Sequence, residues 1–238
     1  MAIDKIYFDM DGVLADFERG VNELCHMQMP AQDENSQAAD DAMWEAIRNV
    51  DHFYDKLEPM SGAVEMFNQI REEYGNCEIL SAVPKPKRGI VTAGDDKIAW
   101  VHKMLGEDVT VNIVTREEKA AFAKNRRCIL IDDLAVNIEA WNETGSGIQH
   151  KSVEETLSRV MAIDLKHLED KYEEYLLKTF GKTFAEIMDI DSDSQEAADI
   201  NNKLMFDLEN DEQDHETSLL ANYVLYAWGK HDLAMRSE

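Results

Sequence analysis

The sequence predicts an α/β fold built on a parallel, doubly wound sheet, and three observations carry that prediction. Short apolar runs of strand length recur between Ile6 and His150. Amphipathic stretches of helical period separate them, so strand and helix alternate. The first run stops at two carboxylates spaced two apart and a glycine, Asp9-Met10-Asp11-Gly12. Open α/β sheets place their chemistry at that end of a strand.

Ile6 to Phe8 is the first strand. Phe17 to Met29 follows as a helix, with Phe17, Val21, Leu24 and Cys25 at helical spacing. Pro30 to Asp41 reads as a polar loop, Met43-Trp44-Glu45-Ala46-Ile47 opens a short helix, and His52-Phe53-Tyr54 with Leu57 and Pro59 makes an aromatic turn. Roughly 40 residues before the next core element exceed a plain connection. They predict a small helical cap inserted between Phe17 and about Pro59. Gly62 to Tyr74 is a helix, with Ala63, Met66, Phe67 and Ile70 on one face and Gly75 as its stop. Cys77 to Val83 is the second strand, Asp95 to Leu105 a helix, and Val109 to Val114 the third strand. Arg116 to Lys124 is a helix, and Cys128 to Ile131 is a fourth strand running into Asp132-Asp133. Leu134 to Trp141 is helical, Gly147 to His150 is the fifth strand, and Ser152 caps a helix to about Ala162.

Beyond Ile163 the rhythm changes. Asp164 to Phe180 carries Leu165, Leu168, Tyr172, Tyr175, Leu176 and Phe180 on a stripe, and Leu219 to Trp228 is a second helix. The expected division is a core over 1–163, with the cap at about 18–59, and an acidic helical extension over 164–238. The extension holds 18 acidic residues against 7 basic ones from Leu165 on. Its apolar stripes must pack on the core, on each other or on a second chain, so a homo-oligomer is one expectation. Asp189-x-Asp191-x-Asp193 suggests a calcium loop, but Ser194 and Ile200 stand where that loop needs Gly and Glu. A solvated acidic linker is the better reading.

A net charge of −25 disfavours nucleic acid and anionic membranes as partners. No apolar run approaches a membrane span of about 20 residues. An odd set of cysteines, Cys25, Cys77 and Cys128, fits reduced core residues. The cytoplasm is the expected compartment.

Chemistry-bearing residues fall at strand ends. On a strand, Asp9 and Asp11 point the same way, and crowded acids repel unless a cation or a proton intervenes. Asp132 and Asp133 end a buried strand, which is costly unless they bind a metal or meet solvent. Magnesium suits an all-oxygen set of this kind. Ser81 closes the second strand, where a hydroxyl and neighbouring amides can bind phosphate oxygens. Lys119, just past the third strand, can neutralise a phosphoryl group. No zinc spacing, Walker A or G-x-G-x-x-G pattern occurs.

The full string Asp9-Met10-Asp11-Gly12-Val13-Leu14-Ala15-Asp16 resembles motif I of the haloacid dehalogenase-like phosphohydrolases, most closely the 5'(3')-deoxyribonucleotidase family. Ser81-Ala82-x-Pro84, Thr115-Arg116-Glu117-Glu118-Lys119 and Asp132-Asp133 resemble its later motifs, in order, over Met1 to Ile163. The family's Thr-Arg-x-Lys is one residue shorter, which sets Lys119 against Lys124, with Lys119 favoured. The resemblance implies a Rossmann-like core and a magnesium-dependent phosphatase. Asp9 would be the nucleophile and Asp11 the general acid and base. Mg²⁺ would be held by Asp9, the Asp11 carbonyl, Asp132 and Asp133. Ser81 and Lys119 would grip the phosphate, with Ala82 and Arg116 beside it. Phe17, Trp44, Phe53 and Tyr54 of the cap would meet a small-molecule nucleotide, deoxyribonucleoside monophosphates above all. The rivals are a phosphatase of the same fold acting on another phosphometabolite or a nucleic-acid end, and a non-enzymatic binding or assembly protein.

Overall fold

Five parallel strands make the frame: β1 (Lys5–Phe8), β2 (Cys77–Ala82), β3 (Val111–Val114), β4 (Cys128–Asp132) and β5 (Ser146–Gln149), in the order β3-β2-β1-β4-β5. The structure is a computed structural model and describes residues 3–30 and 37–209, with Thr217, Leu220, Ala221, Val224, Leu225 and Trp228. Its helices are α1 (Phe17–Leu24), α2 (Gln37–Arg48), α3 (Ala63–Tyr74), α4 (Ala93–Leu105), α5 (Ala135–Trp141), α6 (Val153–Phe180), α7 (Phe184–Met188) and α8 (Gln195–Glu209). None of them is long and apolar enough to cross a membrane.

The chain forms two compact units, Ile3–Asp164 and Leu165 onward. In the first, alternate strand residues serve opposite faces. Ile6, Phe8, Ile79, Ile129 and Ile131 join α3, α4 and Val160 on one side. Tyr7, Leu80 and Leu130 join Ile138 and Trp141 of α5 on the other. With both faces covered, strand sequences need no polar alternation, which is why they read as continuous apolar runs. The segment holding α1 and α2 leaves and re-enters at neighbouring points. The Asp16 amide donates to the Glu58 carbonyl at 2.8 Å, and the Met60 amide to the Leu14 carbonyl at 2.8 Å. Gly20 in α1 lies so close to Leu57 that a Cβ would meet its side chain at 2.2 Å.

The second unit has its own core of Tyr172, Tyr175 and Leu176 from α6, Ile187 from α7, and Ala197, Ile200 and Leu204 from α8, with Leu220, Ala221, Val224 and Trp228. Thr183 and Glu186 cap α7 reciprocally. The Asp189–Ser194 stretch is the turn before α8. The Asp193 amide donates to an Asp191 carboxylate oxygen at 3.1 Å, and Ser194 Oγ accepts from the Ala197 amide at 3.1 Å as an N-cap.

Four elements differ from expectation. α1 stops at Leu24, five residues short of Met29, because His26 takes a left-handed conformation with φ 53°. α2 starts at Gln37, where the sequence suggested a loop to Asp41; Ala38 and Ala39 favour helix, and the Gln37 side chain donates to Asp41 at 2.8 Å. The rest of that loop, 31–36, lies outside the described residues. The stretch after β3 is a 3₁₀ turn over Arg116–Phe122 rather than an α-helix, started by a Thr115–Glu118 capping box. α6 runs unbroken for 28 residues, since no Gly or Pro interrupts it before Gly181. Of the predicted Leu219–Trp228 helix, Leu220, Ala221, Val224, Leu225 and Trp228 are described and helical; the remainder lies outside the described residues.

Candidate active site

The chain leaves β1 toward β2 on one side and later returns to β4 on the other. The carboxyl ends of β1 and β4 therefore flank a topological switch point, the crevice where such sheets bind ligands. Asp9 continues the ladder there, its amide donating to the Ile131 carbonyl at 2.8 Å. Asp132 ends β4 one step beyond the Phe8–Ile131 pair, so the two acids face each other. The chain then turns sharply, with the Leu14 and Ala15 amides both donating to the Met10 carbonyl at 2.8 Å. Gly12 sits at φ 73°, and a Cβ on it would come within 2.6 Å of Asp133 Oδ2. Only glycine meets both conditions.

Lys119 is buried among these acids. Its Nζ lies 2.9 Å from Asp9 Oδ2 and donates to Asp132 Oδ2 at 2.7 Å. Burial opposes its charge, but Asp9 and Asp132 outweigh that and hold its ammonium above the ordinary lysine range. Lys124 is exposed and donates to the Ala121 carbonyl instead. Of the two lysines, Lys119 is the one brought to Asp9.

Asp132 is bonded throughout. Oδ1 accepts from the Leu134 amide, and both oxygens accept from Asn137 Nδ2, all at 2.9 Å. Burial and then Asp9 nevertheless push its carboxyl upward. Asp133 is pushed up to about 7 by burial and by Asp9, Asp132 and Asp11. One oxygen from each of Asp9, Asp132 and Asp133 lies within 4.8 Å of the others. Carboxylates so crowded repel without a cation among them. All-oxygen donors on a rigid sheet edge fit a hard divalent ion, which needs few protein ligands and keeps waters.

Asp11 turns the other way, toward Ser81 and Lys97. Lys97 on α4 is fully buried and donates to Asp11 Oδ2 at 2.7 Å, Ser81 Oγ at 2.9 Å and the Ala82 carbonyl at 2.9 Å. Asp11 Oδ1 is buried and has no hydrogen-bond partner among the described residues. Lys97 was invisible to motif reading, because a lysine after Asp95 and Asp96 looks like a solvated face. The periodicity did hold a signal: Ala93, Lys97, Trp100 and Val101 share the buried stripe of α4.

The remaining predicted residues divide. Tyr54 is buried with Lys97 Nζ 4.7 Å from its ring centre, and burial, then Asp11 and Asp9, raise its phenol well above the ordinary range. Phe53 is 1% exposed and packs edge-on to Tyr54 and Phe17. Phe17 and Trp44 are half-buried neighbours, 6.2 Å apart between ring centres. Trp44 donates to Asp40 at 3.0 Å, and the Arg88 guanidinium stacks on it at 5.6 Å. Arg116 is exposed.

No protein-family model matches the chain. A protein of Vibrio phage KVP40, provisionally named a 5'(3')-deoxyribonucleotidase, is 27% identical over 56% of this chain and 67% of its own length. The human mitochondrial 5'(3')-deoxyribonucleotidase is 27% identical over 54% of this chain. The chain spans only 61% of that human protein. The similarity to 5'(3')-deoxyribonucleotidases read from the motifs thus recurs along a little over half of the chain. A hydrolase from Pseudomonas syringae of known crystal structure covers 63% of this chain and 87% of its own, at 19% identity and a TM-score of 0.35, too slight a likeness to bear on fold or activity.

Proposed function

We propose that this chain is a magnesium-dependent phosphomonoesterase acting on nucleoside monophosphates, deoxyribonucleotides foremost, through an aspartyl-phosphate. One observation carries the reading: Asp9 stands at the end of β1 with Lys119 at 2.9 Å and with Asp132 and Asp133 beside it. The names of the two relatives point to the substrate class.

Asp9 Oδ attacks phosphorus as the ester P–O bond breaks, and Asp11 gives a proton to the departing alkoxide. Asp11 then takes a proton from water, which attacks phosphorus and frees Asp9 and inorganic phosphate. Lys119 neutralises the phosphoryl oxygens, and the Ser81 hydroxyl donates to one of them. Magnesium, held by Asp9, Asp133, Asp132 and the Asp11 carbonyl, would supply charge neutralisation at the phosphoryl group. Asp132, already bonded to Lys119, Leu134 and Asn137, would chiefly hold Lys119 in place.

We assign residues 18–59 as the cap that reads the substrate and 164–238 as an extension outside the chemistry. Phe53 and Tyr54 are both almost fully buried, so Phe17 and Trp44 are the cap rings most open to a base. A reducing compartment such as the cytoplasm suits the free Cys25, Cys77 and Cys128. A turnover screen over ribo- and deoxyribonucleoside monophosphates tests the reading. We expect a deoxy preference of about tenfold, the scale of one unmade hydrogen bond. A sugar phosphate as best substrate would overturn it.

A further inference from the structure

Lys97 occupies a core-facing position of α4, between Ala93 and Trp100 on the buried stripe. An ammonium there is costly unless every N–H finds a partner. It has three to donate, and the three go to Asp11 Oδ2, Ser81 Oγ and the Ala82 carbonyl, at 2.7, 2.9 and 2.9 Å. The face of Tyr54 lies 4.7 Å from the same nitrogen, closing it off with an aromatic ring. Nothing is left for a substrate. Lys97 therefore differs from Lys119, which faces Asp9 and the acid cluster.

Two consequences follow from the bonds themselves. Asp11 has one oxygen committed to Lys97, while Oδ1 is buried and unclaimed. Ser81 Oγ accepts from Lys97, so its own hydrogen is free to point elsewhere. We infer that Lys97 is a positioning residue. It clamps Asp11 so that Oδ1 is the oxygen that exchanges the proton with leaving group and water, and it turns the Ser81 hydroxyl outward as a donor to the phosphoryl group. The inference rests on the phosphatase reading above and adds to it a group that none of the four motifs contains.

Leaving-group chemistry tests it. A nucleotide loses a poorly stabilised alkoxide that needs Asp11's proton, whereas p-nitrophenyl phosphate loses a phenolate that needs almost none. Lys97→Met should cut kcat/KM on the nucleotide, which reports phosphoryl transfer to Asp9 and not the later hydrolysis common to both substrates, by roughly a hundredfold, the scale of a mispositioned general acid. On p-nitrophenyl phosphate the loss should stay under about tenfold. In an Asp11→Asn background, Lys97→Met should cost less than about threefold further on the nucleotide, because effects that pass through one group do not add. Equal losses on both substrates, or full additivity with Asp11→Asn, would overturn the role of Lys97. Should Lys97→Met fail to fold by circular dichroism, Lys97→Gln, which keeps amide donors, carries the same comparison. Wild type inactive on both substrates would contradict the phosphatase reading itself.

Discussion

The unit from Ile3 to Asp164 and the helices from Leu165 onward are both acidic, yet they treat their carboxylates in opposite ways. In the first, Asp9, Asp11, Asp132 and Asp133 crowd the ends of two adjacent strands, with Lys97 and Lys119 the lysines bonded among them. Burial and mutual repulsion lift Asp133 to about 7. In the second, Asp191 and Asp193 stay exposed in a turn, and Glu186 caps a helix. Even the buried Asp207 is bonded by the Tyr175 hydroxyl at 2.6 Å and paired with Lys203. The helical unit thus partners its buried carboxylate fully, whereas the first unit crowds its acids together and leaves one buried oxygen, Asp11 Oδ1, without a hydrogen-bond partner among the described residues.

The largest expected contrast is in turnover. Asp9→Asn should lower phosphatase activity by roughly a thousandfold or more while the protein stays folded. Asp191→Asn and Asp193→Asn should leave it unchanged. Undiminished activity in excess EDTA would break the same contrast from the metal side.

Next comes the cost of crowding. Without metal, Asp133→Asn should raise the melting temperature, by a stability gain on the order of 1 kcal/mol, since it removes a charge that its neighbours oppose. Added Mg²⁺ should stabilise the wild type and do much less for the variant. Thermal melts with and without Mg²⁺ check both statements. A variant less stable than the metal-free wild type would show that the acids are not in conflict.

In the helical unit the opposite sign is expected. Tyr175→Phe takes the donor from a buried carboxylate and should cost about 1–3 kcal/mol. kcat should not move, and a changed kcat would tie this unit to the chemistry.

The smallest effect tests an exposed histidine and its buried partner in the first unit. His52 Nδ1 lies 2.7 Å from Asp96 Oδ1, and that bond, then Asp51, hold its imidazole above the ordinary histidine range. Its stabilisation is full below the unfolded pKa and is lost as pH rises through the elevated folded value. His52→Gln should therefore narrow the stability difference between acidic and neutral pH. A nuclear magnetic resonance titration of His52 at or below the ordinary value would contradict it.

What the sequence made legible follows from which interactions are local. The sheet could be read because Ile6, Phe8, Ile79, Ile129 and Ile131 are apolar wherever a covered strand needs them. The acids at its edge stood out because Asp132-Asp133 follows such a run. Helix ends were less legible, since α1 stops on a left-handed His26 that carries no compositional mark. The unbroken α6 was read as two pieces because its apolar residues serve a different core on either side of Asp164. Lys97 escaped altogether. Its partners, Asp11 and Ser81, lie 86 and 16 residues away, and only the folded sheet brings them to one nitrogen.

Chemical trapping of the intermediate tests the central claim most directly. Protein quenched during turnover of a deoxyribonucleoside monophosphate with Mg²⁺ is treated with borohydride, which reduces an acyl phosphate to the alcohol. Asp9 should then be recovered as homoserine by peptide mass spectrometry, only when substrate and metal were both present. Homoserine at another acid, or sustained turnover with Asp9 unmodified, would contradict the account.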